Sequence, residues 1–209
     1  MEIAYLVEPL SALDIETDSV KFLSKYQPEV LHANRPLDVE KLLDDIFNDT
    51  NVSLLLIDDD ELPKEILGVS EMDKRIIKIR NSDFEKCDKD GYRRMTITHE
   101  AGHARLHLNQ FEKNGMKMYR TKSNRIPYYK NSEWQAKVWA SATMMPFPAL
   151  IKIFQDATKK SDNEVINCIM ERFIVSRTAA EVRYNTIAKY YKDGRYQKIE
   201  KSIKELCIM

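Results

Sequence analysis

Glycine is scarce in this chain, five in 209 residues, which favours long helices. Cysteine is scarcer still. Cys87, Cys168 and Cys207 are odd in number and far apart, and no CxxC pair occurs. That excludes a disulfide scaffold and a thiolate zinc site, and points to a reducing, cytoplasmic setting. Long apolar runs are missing too: nothing approaches the roughly 20 residues of a membrane helix. The start, Met1-Glu2-Ile3-Ala4-Tyr5, is acidic and lacks the apolar core of a secretory signal. Net charge is also absent, since Lys+Arg and Asp+Glu both total 33. An overall basic nucleic-acid binder and an acidic tail are thereby excluded. What remains is ordinary globular material, 43% hydrophobic and 32% charged, enough for one medium domain or a domain with a small appendage.

Apolar spacing predicts a helix over residues 18–27, through Val20, Phe22, Leu23 and Tyr26. Asn34-Arg35-Pro36 breaks it, and Asp38 then caps a helix through Val39, Leu42, Leu43, Ile46 and Phe47. Residues 52–57 read as a short buried strand, and residues 66–72 and 76–80 as a hairpin, together a small antiparallel sheet. A helix is expected over residues 93–109, then a long polar and aromatic loop over 113–131. Ser132 is placed to cap a helix over 133–145, stopped by Pro146 and Pro148. Beyond it the pattern is helical only. Ser161-Asp162-Asn163-Glu164 has the form of a capping box, and Phe173-Ile174-Val175-Ser176 links to a helix over 177–191. The reading is α+β, helix-rich, with residues 1–150 as a core and 151–209 as a C-terminal helical subdomain packed on it. His32 reads as a surface residue, Tyr184, Tyr190 and Tyr191 as packing aromatics, and residues 192–204 as a solvated helix face.

The chemistry concentrates in His99-Glu100-Ala101-Gly102-His103. On a helix, residues four apart share a face one turn from each other. Both imidazoles can therefore reach one zinc at about 2.0–2.1 Å. Glu100, on the adjacent surface, points toward the metal region as a general base without having to ligate. A catalytic zinc takes three protein ligands and keeps a fourth position for water. Glu133, opening the next helix, is the natural third ligand, with Trp134, Val138 and Trp139 packing that helix on the core. Glu112 competes from the tail of the histidine helix but would need a sharp reversal. His107 is one turn too far, because three ligands on a straight helix spread over about 12 Å. It is better suited to orient a neighbour, cap the helix end or face the loop. Ligand type and availability favour zinc over other divalent ions.

Three stretches resemble the ImmA/IrrE family of metallopeptidases. Residues 93–107, RRMTITHEAGHARLH, are similar to the family's RRFTIAHELGHLLLH, His107 included. Residues 133–146, EWQAKVWASATMMP, resemble its EWQANxFAxxLLMP, and residues 173–183, FIVSRTAAEVR, its FxVSxxAAxxR helical pair. Weaker likeness reaches residues 22–29 and 36–40. Met95, Lys137 and Trp139 depart from the family's usual Phe, Asn and Phe, none at a ligand position. The resemblance implies a gluzincin-like, miniature thermolysin-type core with His99, His103 and Glu133 as metal ligands and Glu100 as catalytic base. It also implies a helix-turn-helix repressor of a phage, mobile element or stress circuit as protein substrate.

The expected reaction is hydrolysis of a peptide bond by a zinc endopeptidase. Tyr128, Tyr129, His107 and Arg183 are candidates for the second donor to the oxyanion. The strand over 76–80 is a candidate edge for an extended substrate. A second reading is a zinc-stabilised antirepressor that acts by binding alone, in which Glu100 is dispensable. A third makes residues 173–191 a DNA-binding helix-turn-helix. Glu181 between Arg177 and Arg183 gives that helix no basic face, so no direct nucleic-acid contact is expected. No membrane contact is expected either.

Overall fold

The computed structural model describes residues 3–33, 35–64, 66–113, 120–156 and 161–195, with 197 and 201. Helix α1 (Ala12–Tyr26) starts at a reciprocal cap: the Ser11 hydroxyl accepts from the Asp14 amide and the Asp14 carboxylate from the Ser11 amide. Apolar spacing marks only its second half, because Asp14, Glu16, Thr17 and Asp18 make the first turns polar. After the short α2 (Pro28–Leu31), α3 (Val39–Thr50) opens on the expected Asp38 cap, which accepts from the Lys41 amide at 2.9 Å.

The α+β, helix-rich class is borne out, but the sheet is mixed. Strands β3 (Gly68–Glu71) and β4 (Ile76–Arg80) form the expected antiparallel hairpin. Strand β2 (Ser53–Ile57) instead lies parallel to β4, giving the order β2-β4-β3. The ten residues between β2 and β3 carry the chain past β4, so the hairpin folds back with β4 inside. Two expectations fall with this order. The leucine run of β2 is an edge strand rather than a buried one, with Leu55 43% and Leu56 41% exposed. β4 is paired on both sides and offers no edge; the outer side of β3 has no strand partner among the described residues.

A single turn, α4 (Asn81–Phe84), leads to α5 (Gly91–Lys113), the longest helix. Asp90 starts α5 by accepting from the amides of Tyr92 at 2.9 Å and Arg93 at 3.1 Å. The helix lies between α3 and the sheet on one side and α6 (Ser132–Met144) on the other. The cap of α6 is Asn131, not Ser132: its side chain accepts from the Glu133 and Trp134 amides at 2.9 and 3.2 Å. The Ser132 hydroxyl accepts from the Tyr5 amide instead, at 3.0 Å. In its described part the expected loop over 113–131 is pinned by the N-terminal segment. β5 (Arg120–Lys122) pairs antiparallel with β1 (Ile3–Tyr5), and the Val7 and Leu10 amides donate to the carbonyls of Lys130 and Tyr129.

Helices α7 (Phe147–Asp156), α8 (Asp162–Phe173) and α9 (Arg177–Lys192) follow, α8 on the expected Ser161–Glu164 capping box. α7 runs through residue 150. The turn into α9 passes through Ile174 at φ 52° and presses on the start of α5. A Cβ on Gly91 would stand 2.6 Å from the Ser176 amide nitrogen and 2.7 Å from the Val175 carbonyl carbon, so only glycine fits there. His32 is exposed, Tyr190 is buried, and Tyr184 stacks on Phe154 at 5.4 Å. The side chain of Tyr191, most of residues 192–204 and Cys207 lie outside the described residues. No helix among the described residues is long and apolar enough to cross a membrane.

Candidate metal centre

Where α5 and α6 cross, Gly102 lets the backbones close: a Cβ there would sit 3.2 Å from both the Ala136 carbonyl oxygen and the Trp139 ring. Trp139, fully buried, is held from below by donating to Asp18 at 2.9 Å. That crossing carries Glu133, on the first turn of α6, to the face of α5 that bears His99 and His103. His99 Nε2 lies 3.2 Å from Glu133 Oε2, and His103 Nε2 lies 3.3 Å from Glu133 Oε1. The two imidazole nitrogens are 3.1 Å apart, their rings nearly perpendicular at 88°. Three donors at about 2.0–2.1 Å around one tetrahedral zinc stand about 3.3 Å from each other. The observed triangle has that size. The donor set therefore fits zinc and leaves a fourth direction open.

The electrostatics call for a cation in the same place. Burial works against the Glu133 carboxylate, yet hydrogen bonds from His103 and His99 outweigh it and hold its pKa well below the usual carboxylate range. Burial likewise disfavours a His103 cation, but the hydrogen bond to Glu133 and the charges of Glu100 and Glu133 raise its pKa on balance. A proton on His103 and a metal ion would compete for this position. Glu112, the competing carboxylate, is exposed and paired with Arg75. His107 is almost fully buried and in contact with His103 through their Nδ1 atoms, 3.1 Å apart. Burial, then the neighbouring charge of His103, pushes its pKa down to about 3, so it is neutral.

A second cluster, Glu40, Cys87 and Asp88, has ligand atoms within 4.8 Å of one another. It does not suit a cation: burial pushes the Cys87 thiol up to about 11, and the Arg94 guanidinium acts on it from nearby.

Glu100 is buried beside the histidines, and sequence reading missed what holds it there. The Ser70 hydroxyl of β3 donates to the Glu100 carboxylate at 2.5 Å and lies 3.1 Å from the Glu100 carbonyl oxygen. A serine in a short strand carries no signal of this, since its partner is 30 residues away on another element. We predict that Ser70→Ala lowers hydrolysis on the order of 10-fold, the worth of one hydrogen bond to a charged group. Zinc content should stay the same, and unchanged kcat/KM would refute the role. Of the oxyanion candidates, two are placed elsewhere. Arg183 is 2% exposed and paired with Glu16, and His107 stands behind His103. Tyr128 and Tyr129 flank the start of α6, Tyr128 edge-on to Trp134 at 4.9 Å.

Two histidines one turn apart, a flanking buried glutamate and a carboxylate from the next helix have the arrangement of an HExxH-type centre that could hold a metal ion. Residues 85–185 match the model of the IrrE N-terminal-like domain, a peptidase family, which is consistent with the resemblance to the ImmA/IrrE metallopeptidases. The match holds α5, α6 and all four residues of the centre. It also runs on through α7 and α8 into α9. A search of the curated proteins finds no match to the chain.

Proposed function

We infer that the chain has a metallopeptidase-type function, which the family match supports. We propose that the chain is a zinc-dependent endopeptidase, with His99, His103 and Glu133 holding the ion and Glu100 as general base. The observation that carries this is the triangle of donor atoms with 3.1–3.3 Å sides beside a buried carboxylate. When bound, zinc lowers the pKa of a coordinated water toward about 7 and polarises the scissile carbonyl. Glu100 accepts a proton from the attacking water as the new C–O bond forms. It returns that proton to the leaving nitrogen as the C–N bond breaks, so the carboxylate ends as it began. Ser70 keeps the carboxylate aimed. Ser70 of β3 touches Glu100, and the outer side of β3 has no strand partner among the described residues, so a substrate strand pairing there would run its backbone near the base.

We take the substrate to be a helix-turn-helix repressor, as the family resemblance implies, met in the cytoplasm. Direct DNA contact by α9 is disfavoured, because Arg177 is engaged by Glu181, Asn163 and Asn167.

The test is to incubate the purified protein with a helix-turn-helix repressor encoded beside it. Defined fragments are expected with Zn2+, none with chelator, and recovery when Zn2+ is restored. Zinc at a hundred times its Kd should also stabilise the fold by about 2.7 kcal/mol, raising Tm by roughly 5–10 °C. Intact repressor together with an unmoved Tm would sink the proposal.

A further inference from the structure

Gln135 follows Glu133 by two positions on α6 and is fully buried. Its amide nitrogen donates to two backbone carbonyls, Glu8 at 2.9 Å and Tyr129 at 2.8 Å. Both amide hydrogens are thereby used, and the amide cannot be turned over without setting oxygen against oxygen. Oε1 is therefore the atom that faces His107 Nε2 at 3.1 Å. A carbonyl oxygen only accepts, so His107 carries its hydrogen on Nε2. A neutral imidazole has one N–H, which leaves His107 Nδ1 bare. The atom it meets at 3.1 Å is His103 Nδ1, which must then be the donor. With Nδ1 committed to His107, His103 turns Nε2 toward His99 and Glu133, the nitrogen a metal ion would take in exchange for a proton. Every proton from the Gln135 amide to His103 Nδ1 is thus assigned by hydrogen-bond complementarity.

We propose that His107 and Gln135 are positioning residues, a relay that locks His103 in the tautomer whose bare Nε2 faces the metal. The inference rests on reading His103 as a ligand. It adds a non-ligating histidine and an amide in the place where a carboxylate or backbone carbonyl commonly orients a metal-bound imidazole. The relay is anchored outside the helix pair. One carbonyl partner of Gln135 lies in the N-terminal segment and the other in the turn before α6, so the lock forms only when both are seated.

The lock is present before any metal arrives, and this makes it testable apart from the metal reading. Long-range 1H–15N spectra of the full chain, 15N-labelled and metal-free, should show His103 protonated on Nδ1 and His107 on Nε2. Gln135→Leu should release the His107 tautomer and weaken Zn2+ affinity 10- to 100-fold in a chelator competition. Gln135→Glu keeps an acceptor for the same N–H but sets its second oxygen against the Glu8 and Tyr129 carbonyls, so it should keep the His107 Nε2–H signal at a cost in stability. Wild-type His103 without a proton on Nδ1 would overturn the relay. So would a Gln135→Leu variant with native circular dichroism and unaltered Zn2+ affinity. Wild-type protein that shows both tautomers but takes no Zn2+ would instead sink the metal reading and leave the relay standing.

Discussion

Replacing Glu100 by glutamine is expected to abolish peptide hydrolysis while leaving zinc bound. The prediction follows from the division of labour at the centre. His99, His103 and Glu133 form the donor triangle, and Glu100 stands beside it without being part of it. The amide has the volume of the carboxylate. Its oxygen can still accept from the Ser70 hydroxyl, and its Cγ can keep the 3.4 Å approach to the Cβ direction of Gly68. What it loses is basicity. Positioned proton transfer is worth on the order of 10²–10⁴ in rate, so kcat should fall by that factor with KM little changed. Zinc per chain, by metal analysis after dialysis, should match wild type. The same variant separates the enzyme from the binding-only antirepressor. A Glu100→Gln protein that still neutralises its repressor at wild-type dose would show that cleavage is not how it acts. A variant without zinc would mean that Glu100 belongs to the ligand set.

How far the sequence disclosed this centre depends on the range of each interaction. The spacing of His99 and His103 is helix geometry, a property of five consecutive residues, and is read directly. Glu133 is legible for a related reason, as an acidic residue on the first turn of a helix with apolar positions behind it. Its arrival at the histidines depends on Gly102 meeting Ala136, and nothing local announces a crossing of two helices. Ser70 and Gln135 were invisible because their partners lie on other elements. The sheet shows the same limit. The β3–β4 hairpin is a local event and was foreseen; the parallel entry of β2 is not local and was not. A run of four apolar residues looks the same in a central strand as in an edge strand whose outer face stays wet. The N-terminal strand escaped notice because three residues carry no period, and it is the pairing with β5 that makes them a strand.

Arg183 shows the difference between a residue that resembles a site residue and one that holds the fold. In sequence it is one of two arginines on a late helix, open to a catalytic or a nucleic-acid reading. In the structure it is 2% exposed and faces Glu16, 1% exposed and 167 residues away, through both terminal nitrogens, one of them at 2.9 Å. Its Nε donates to the Met145 carbonyl at 3.0 Å, satisfying the end of α6. Three charge-assisted bonds thus join α1, α6 and α9 in the interior. We expect Arg183→Met to cost about 3–5 kcal/mol, because it strands the Glu16 charge and leaves the Met145 carbonyl without this donor. In a chain of this size Tm should drop by roughly 10 °C or more. The double variant Glu16→Leu with Arg183→Met should recover much of that loss, since most of the penalty is the unpaired charge. Zinc affinity of the folded protein should change little, because Met145 and Glu133 stand at opposite ends of α6, about 18 Å apart at 1.5 Å per residue. Urea titration of the three proteins decides the matter. A single variant within 1 kcal/mol of wild type would show that the pair contributes no net stability, and a double variant worse than the single would show that packing at the crossing, not charge, holds the three helices.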